Sequence, residues 1–146
     1  MNFEPFDTSL VEQRLKAQVP VLLEVGGAAE YAAIQELRTF RTPSAYVIFA
    51  GESVGAGPAR GGLRVQPAET RFGVALAVRN YRAGAGGQLN EELRQVIGAV
   101  RSALQGWVPP VPGATALAWL GGHVADYDAS TVLYLETYQL THLLQK

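Results

Sequence analysis

The sequence RFGVALAVR, residues Arg71–Arg79, alternates large apolar side chains with small or charged ones. Successive side chains of a β-strand point to opposite faces, so the large residues share one face and the small residues share the other. The large face is formed by Phe72, Val74, Leu76 and Val78, and the small face by Gly73, Ala75, Ala77 and Arg79. The pattern predicts a long strand within Leu63–Tyr81 whose large face meets the core, while its small face suits close approach by something flat.

Further helices and strands are predicted on both sides of this strand. Apolar spacing indicates helices over Asp7–Val19, Ala28–Leu37 and Leu89–Leu104, and strands over Val21–Val25, Ala45–Ala50, Ala116–Leu120 and Thr131–Leu140. Consecutive strands with short connections favour hairpins. The order therefore predicts a single α+β domain over residues 1–146, with a largely antiparallel or mixed sheet of about four to five strands and helices packed on one face.

A glycine-rich segment, Gly51–Gly62 (GESVGAGPARGG), separates two of the predicted strands. Glycine and proline disfavour regular helix and strand interiors. The composition predicts a long flexible loop here. Such a loop is costly to order unless a partner holds it, so we expect it to contact another protein.

The composition excludes several functional classes. Of 146 residues, 48% are apolar and 17% are charged, which is typical of a globular protein. A formal net charge of −1 argues against a dedicated nucleic-acid binder. The lack of cysteine excludes disulfides, Cys-ligated metals and thiol catalysis. With no long apolar run and no signal-like start, we expect a soluble protein of a reducing compartment with no membrane contact.

One motif suggests an enzyme. Gly51–Gly55 matches the G-x-S-x-G nucleophile elbow, and Asp126 or Asp128 and then His142 follow Ser53 in the order of α/β-hydrolases. That chemistry needs a sharp turn from a strand into a helix, which the following glycine- and proline-rich residues do not favour. A small serine hydrolase using Ser53 therefore stays as an alternative function.

Two weaker patterns are better explained as connections. Gly84–Gly87 lies before the long helix, but Leu89 stands where a dinucleotide-binding turn needs its third glycine. His123, Asp126 and Asp128 could ligate a metal, although a polar hairpin tip explains them as well. No metal and no cofactor is predicted. A small-molecule binding module between the sheet and the helices is a further alternative.

Arginines cluster on the glycine-rich segment and the long strand, with glutamates among them. Arginine pairs with carboxylates across protein interfaces as readily as with phosphates, so a mixed-charge surface favours a protein interface over a DNA groove. We include the small strand face as part of the contact, and expect an arginine placed there to block assembly but leave the monomer folded. The candidate interface residues are Glu52, Arg60, Arg64, Glu69, Arg71, Ala75, Ala77 and Arg79.

Several short strings occur in a recognisable order along the chain. They are Val25–Ala33, Thr42–Ile48 entering the glycine-rich segment, Arg71–Asn80, Leu104–Trp107 with Pro109, Leu117–Gly122 and Tyr134–Tyr138. In order and spacing the sequence resembles the tail terminator, or tail completion, proteins of long-tailed bacteriophages. The resemblance covers most of the chain, from about the first helix to the end.

The resemblance implies a structural virion protein without catalytic residues or cofactors. Such proteins form a ring, typically a hexamer, on the head-proximal end of the tail tube, where they stop tube polymerisation and present a surface for head joining. The implied partners are further copies of the chain, the tail tube protein, a head-completion or connector protein, and the sheath protein if the tail is contractile. Genome DNA would pass through the ring. The implied location is the virion tail, assembled in the bacterial cytoplasm.

Overall fold

The computed structural model describes residues 3–55, 62, 64–79 and 91–145. Its helices are α1 (Ser9–Gln18), α2 (Ala28–Ala32) and α3 (Glu91–Leu104), with a 3-10 turn at Leu37–Thr39. Its strands are β1 (Glu24–Gly27), β2 (Ser44–Val54), β3 (Val65–Arg79), β4 (Ala118–Tyr127) and β5 (Thr131–Gln145).

The five strands form one sheet in the order β1-β2-β3-β5-β4. β1 runs parallel to β2, and the other neighbouring pairs are antiparallel. The predicted α+β class with a mixed sheet is confirmed. β3 lies at the centre, paired along its whole length with β5 and, from Ala68 to Ala77, with β2.

The predicted long strand is confirmed, and so is its core face. Phe72, Val74, Leu76 and Val78 are all fully buried. They pack with Val11 and Leu15 of α1 and with the apolar stripe of α3, formed by Leu93, Val96, Ile97, Val100 and Leu104. Both longer helices therefore lie on one face of the sheet, which we call the helix face.

The opposite face of β3 is also covered. Ala75 is 1% exposed and Ala77 is fully buried. They belong to a second cluster with Phe40, Tyr46 and Leu133, against which Tyr31, Ile34 and Leu37 also pack. The expectation that Ala75 and Ala77 on this face are available to another protein is therefore wrong. Its small side chains admit a flat surface, but that surface is the chain's own aromatic side chains.

Aromatic packing explains how the second cluster fits so closely over β3. The ring centroids of Tyr31, Phe40 and Tyr46 lie 5.6–6.0 Å from one another. These spacings are typical of tilted aromatic pairs. The side chains come from α2, the segment after the 3-10 turn and β2, so the segment between β1 and β2 covers the end of the sheet near Ala77.

Several predicted boundaries are wrong in the same direction. β2 continues to Val54, so the first four residues of the predicted Gly51–Gly62 loop belong to a strand. β4 extends to Tyr127, and β5 to Gln145, beyond the predicted ends at Leu120 and Leu140. In each case pairing with a long neighbour overrides the local preference of glycine and polar residues. Of the remaining residues of the predicted loop, 56–61 lie outside the described residues.

The first strand and second helix differ from prediction as well. β1 begins at Glu24 rather than Val21 and includes Gly26 and Gly27, beyond the predicted end at Val25. Parallel pairing with Ser44–Val47 of β2 stabilises them in the extended form. α2 ends at Ala32 rather than Leu37, and the 3-10 turn follows.

The burial of the small face reverses the expected effect of arginine there. We predict that Ala75→Arg lowers the free energy of unfolding by about 3 kcal/mol or more, because the guanidinium would enter a packed aromatic cluster. Urea denaturation of the monomer measures this loss. Ser53→Arg, at an exposed position on the same face of the sheet, is the control and should change stability by less than about 0.5 kcal/mol. A stable Ala75→Arg monomer would contradict this account.

Candidate interaction surface

The far half of the β2–β3 hairpin gathers part of the predicted interface. Glu52, Glu69 and Arg71 line a cavity of about 310 Å³ together with Ala50, Gly51 and Ser53. Arg71 Nη2 lies 3.4 Å from Glu69 Oε1 in a partly exposed ion pair. An exposed pair of this kind contributes little stability by itself, so its charges are available to a partner.

The other predicted interface residues do not join this cavity. Arg64 is exposed just before β3, and Arg79 is exposed at the opposite end of that strand. Arg71 and Arg79 are about 26 Å apart along an extended chain. Ala75 and Ala77 lie under the second cluster, and Arg60 lies outside the described residues, as does Gly84–Gly87.

The structure does not assemble the hydrolase residues. Ser53 pairs with Glu69, whereas His142 pairs with the next residue along β3, Ala68. Because neighbouring positions of a strand point to opposite faces, Ser53 and His142 lie on opposite sides of the sheet. Asp126 pairs with Leu133 near the other end of β5, roughly 30 Å along the strand from His142. No Ser–His–Asp triad forms among these residues.

His142 has a structural environment instead. Its side chain is buried on the helix face, with Nε2 3.5 Å from Thr70 Oγ1 and its ring 6.0 Å from that of Phe6. Burial lowers the pKa of His142, and the nearby charge of Glu52 only partly opposes this. The imidazole is therefore neutral at pH 7.

The acidic residues near the β4–β5 turn stabilise that turn. Asp128 Oδ1 accepts hydrogen bonds from the backbone N–H groups of Ser130 and Thr131, at 2.7 and 2.9 Å. These hydrogen bonds lower the pKa of Asp128. In the part of the chain that the structure describes, no three His, Cys, Asp or Glu residues are grouped closely enough to hold a metal ion.

β4 is an edge strand with an unusually apolar surface. Trp119, Leu120 and Val124 are each 40–43% exposed, and Tyr127 is 68% exposed. Sequence reasoning missed this surface because it ended the strand at Leu120. Gly121–Gly122 suggested a turn, and two register shifts interrupt the alternation of side chains. The apolar residues Val124 and Tyr127 inside the predicted turn were the available signal.

Among the described residues, the chain itself occupies the first part of the outer edge of β4. The backbone N–H of Trp119 donates to Gln105 Oε1 at 2.8 Å. Just before β4, Leu117 N–H donates to the carbonyl of Trp107, and Gly106 N–H to that of Leu117. From Leu120 onward, no described strand pairs with this edge.

A buried carboxylate fixes the start of this edge. Glu136 of β5 is fully buried and accepts hydrogen bonds from Arg101 Nε at 2.7 Å and from Trp119 Nε1. The Arg101 guanidinium also lies 4.6 Å from the centre of the Trp119 ring. A side chain at Gly122 would collide with Tyr134 and Glu136, so glycine is needed there. The cluster joins α3, β4 and β5 and orients the Trp119 indole.

Comparison with known proteins adds one match. The model of a family described as phage tail terminator protein matches residues 1–146, the whole chain. No curated protein shows significant similarity to it. Among the described helices, none has both the length and the apolar character needed to cross a membrane.

The buried cluster predicts a strong dependence on Arg101. Arg101→Ala should lower the free energy of unfolding by about 2–3 kcal/mol, because it leaves the Glu136 carboxylate buried without its cation. Chemical denaturation measures the loss. Arg94→Ala, on the exposed face of the same helix, is the control and should cost less than about 0.5 kcal/mol. Equal losses in the two variants would refute the role of the cluster.

His142 predicts acid sensitivity. Its folded-state pKa lies below the unfolded value, so its contribution to stability is complete above about pH 6.5 and falls as the pH is lowered, when the unfolded chain binds the proton first. His142→Leu should therefore weaken the fall of unfolding free energy between about pH 7 and pH 5. Thr141→Val, at the neighbouring position on the other face of β5, removes no titratable group and should keep the wild-type slope. The hypothesis fails if His142→Leu keeps it too.

Proposed function

Since the whole chain belongs to the phage tail terminator family, we propose that it forms a ring on the head-proximal end of a bacteriophage tail tube. The family is one of structural proteins, so the chain has a structural role in phage tail assembly and is a component of the virion tail. The family match over all 146 residues is the observation that carries the proposal.

In this proposal the ring is a homohexamer that ends tube polymerisation. One face of the ring binds the last ring of tail tube protein, and the other receives the head-completion or connector protein. In a contractile tail the ring also contacts the last ring of sheath protein. Assembly takes place in the bacterial cytoplasm before the head and tail join.

Ring closure needs two unlike surfaces on each subunit that bind each other head to tail. The exposed apolar strand β4 supports this, because an open strand edge is a ready template for another chain and is normally protected in a monomer. The scattered positions of Ser53, His142 and Asp126 support a role without catalysis.

We assign the tube contact to the mixed-charge end of the β2–β3 hairpin. Arg64, Glu69 and Arg71 lie there at exposed or half-buried positions, and Glu52 lies beside them on the outer edge of β2, outside the tube contact. Charges of both signs provide orientation and partner choice more than raw affinity. Arg60 belongs to the same connection in the sequence and is included in this proposal, whereas Arg79 lies at the other end of β3, away from this contact.

The nearly neutral charge of the chain suits a channel for DNA. A net charge of −1 gives little counterion release on contact with phosphates, so DNA could slide through the ring without binding to it. A strongly basic lumen would retain the genome during transfer.

Assembly with the tail tube tests the proposal. We expect native mass measurement to show a closed homo-oligomer when the protein is mixed with its tube protein, and electron microscopy to show that oligomer at one end of each tube. Tube protein polymerised without it should give longer tubes of uncontrolled length. A chain that remains monomeric and leaves tube length unchanged would refute the proposal.

A further inference from the structure

Within the described residues, the sheet has two edge segments without a neighbouring strand, which we call the free edges; they lie at the two lateral edges of the sheet and at opposite ends of the strands. β1 pairs only with Ser44–Val47, so the outer edge of β2 from Ile48 to Val54 has no described neighbouring strand. On the other side, the outer edge of β4 is free from Leu120 to Tyr127. The two free edges are similar in length, seven and eight residues.

Exposed apolar side chains are concentrated on these two strands. Of the ten large hydrophobic residues exposed in the described part of the chain, six lie on β2 or β4. Those six are Phe49, Val54, Trp119, Leu120, Val124 and Tyr127. Each free edge therefore combines unpaired backbone groups with apolar side chains, as expected of strands that pair in an assembly.

We propose that the free edge of β4 in one copy pairs with the free edge of β2 in the next copy, so that the sheet continues from subunit to subunit. The proposal rests on the ring function above and names the surfaces that build the ring. The occupant of each edge is a second copy of this chain.

The direction of the strands supports this pairing. β4 runs parallel to β3 and therefore antiparallel to β2, since every step from β2 to β4 is antiparallel. A second copy in the same orientation would thus present its β2 antiparallel to β4, which is the more stable arrangement. Because the two edges differ, the contact is head to tail and can close into a ring.

The offset between the edges is compatible with closure. The middle of the β4 edge, His123, lies level with Leu135 of β5, whereas the middle of the β2 edge, Gly51, lies level with Gln139. Four residues correspond to about 13 Å along the strands, and four strands to about 19 Å across them. The ring can close with this offset if its strands tilt by about 34° from the ring axis, close to the roughly 35–45° found in closed sheets.

The sense of the offset indicates which face lies outside. Thr141 and Leu143 of β5 direct their backbone hydrogen bonds to Thr115 and Pro112, on the β4 side. Viewed from the helix face, the side chains of these two residues point away from the viewer. For L-amino acids in a strand that runs upward, the backbone groups of such residues point to the left, so β4 lies to the left of β5. If α1 and α3 lie outside the ring, the strand tilt that this offset requires is right-handed, as in other twisted sheets. Glu69 and Arg71 would then face inward at the end of the ring formed by the β2–β3 hairpins, where the tube contact is assigned.

Engineered disulfides test the contact, because the chain contains no cysteine of its own. Val124→Cys combined with Glu52→Cys or with Val54→Cys puts thiols on the same face of two facing edges. After mild oxidation of the tube-bound ring, we expect at least one of these double variants to give covalent oligomers larger than dimers on a denaturing gel. Val124→Cys with Ser53→Cys is the matched control, since Ser53 points to the other face; it should cross-link several-fold less.

The single variant separates the possible contacts. In a head-to-tail ring the two copies of residue 124 lie far apart, so Val124→Cys alone should give no covalent dimer. Dimers of this single variant would show β4 pairing with β4 and would overturn the proposal. A ring that forms normally but yields no cross-link in either double variant overturns the contact and leaves the ring function standing. A chain that stays monomeric with its tube overturns both.

Discussion

The pairing of β3 on both of its edges is the constraint on which the rest of the structure depends. Its fifteen residues are matched one for one with β5. Since β3 is also buried on both faces from Phe72 to Val78, every other element is placed relative to it. The large face requires the apolar stripes of α1 and α3, and the small face leaves just enough room for aromatic rings. Because this central strand is paired on both edges over most of its length, the longest unpaired edges among the described strands lie on the outer strands.

The alternation that defines β3 was readable from sequence because the strand is long, central and free of irregularities. The same holds for α3, whose predicted apolar residues from Leu93 to Leu104 are buried. β4 could not be read in this way. Its register with β5 shifts twice, and its paired glycines are typical of a turn. Its length is determined by pairing with β5 rather than by its own residues.

The role of the small face shows a different limit. Small side chains indicate that something approaches closely, but they carry no information on whether it is another subunit or another part of the chain. Here Tyr31 and Phe40, distant from β3 in sequence, supply the covering rings. The ion pair between Arg101 and Glu136 could not be predicted either, because the sequence around each residue does not indicate that the two are partners. By contrast, strand pairing alone is enough to exclude the hydrolase motif. Ser53 and His142 pair with adjacent residues of β3 and therefore lie on opposite faces of the sheet.

Both free edges also contain irregularities that limit their pairing with unrelated strands. The register of β2 shifts between Phe49 and Gly51, within its free part, and that of β4 shifts near Leu120 and again near Ala125. Bulges bend and twist a strand, so a flat edge from an unrelated chain would fit poorly. A partner strand with a bulge of its own at a corresponding position fits better, and another copy of the chain has such a strand. The Glu136 cluster adds to this selectivity by holding the Trp119 indole in one orientation at the start of the edge. An edge that is apolar, bent and fixed in this way favours one specific partner over general aggregation.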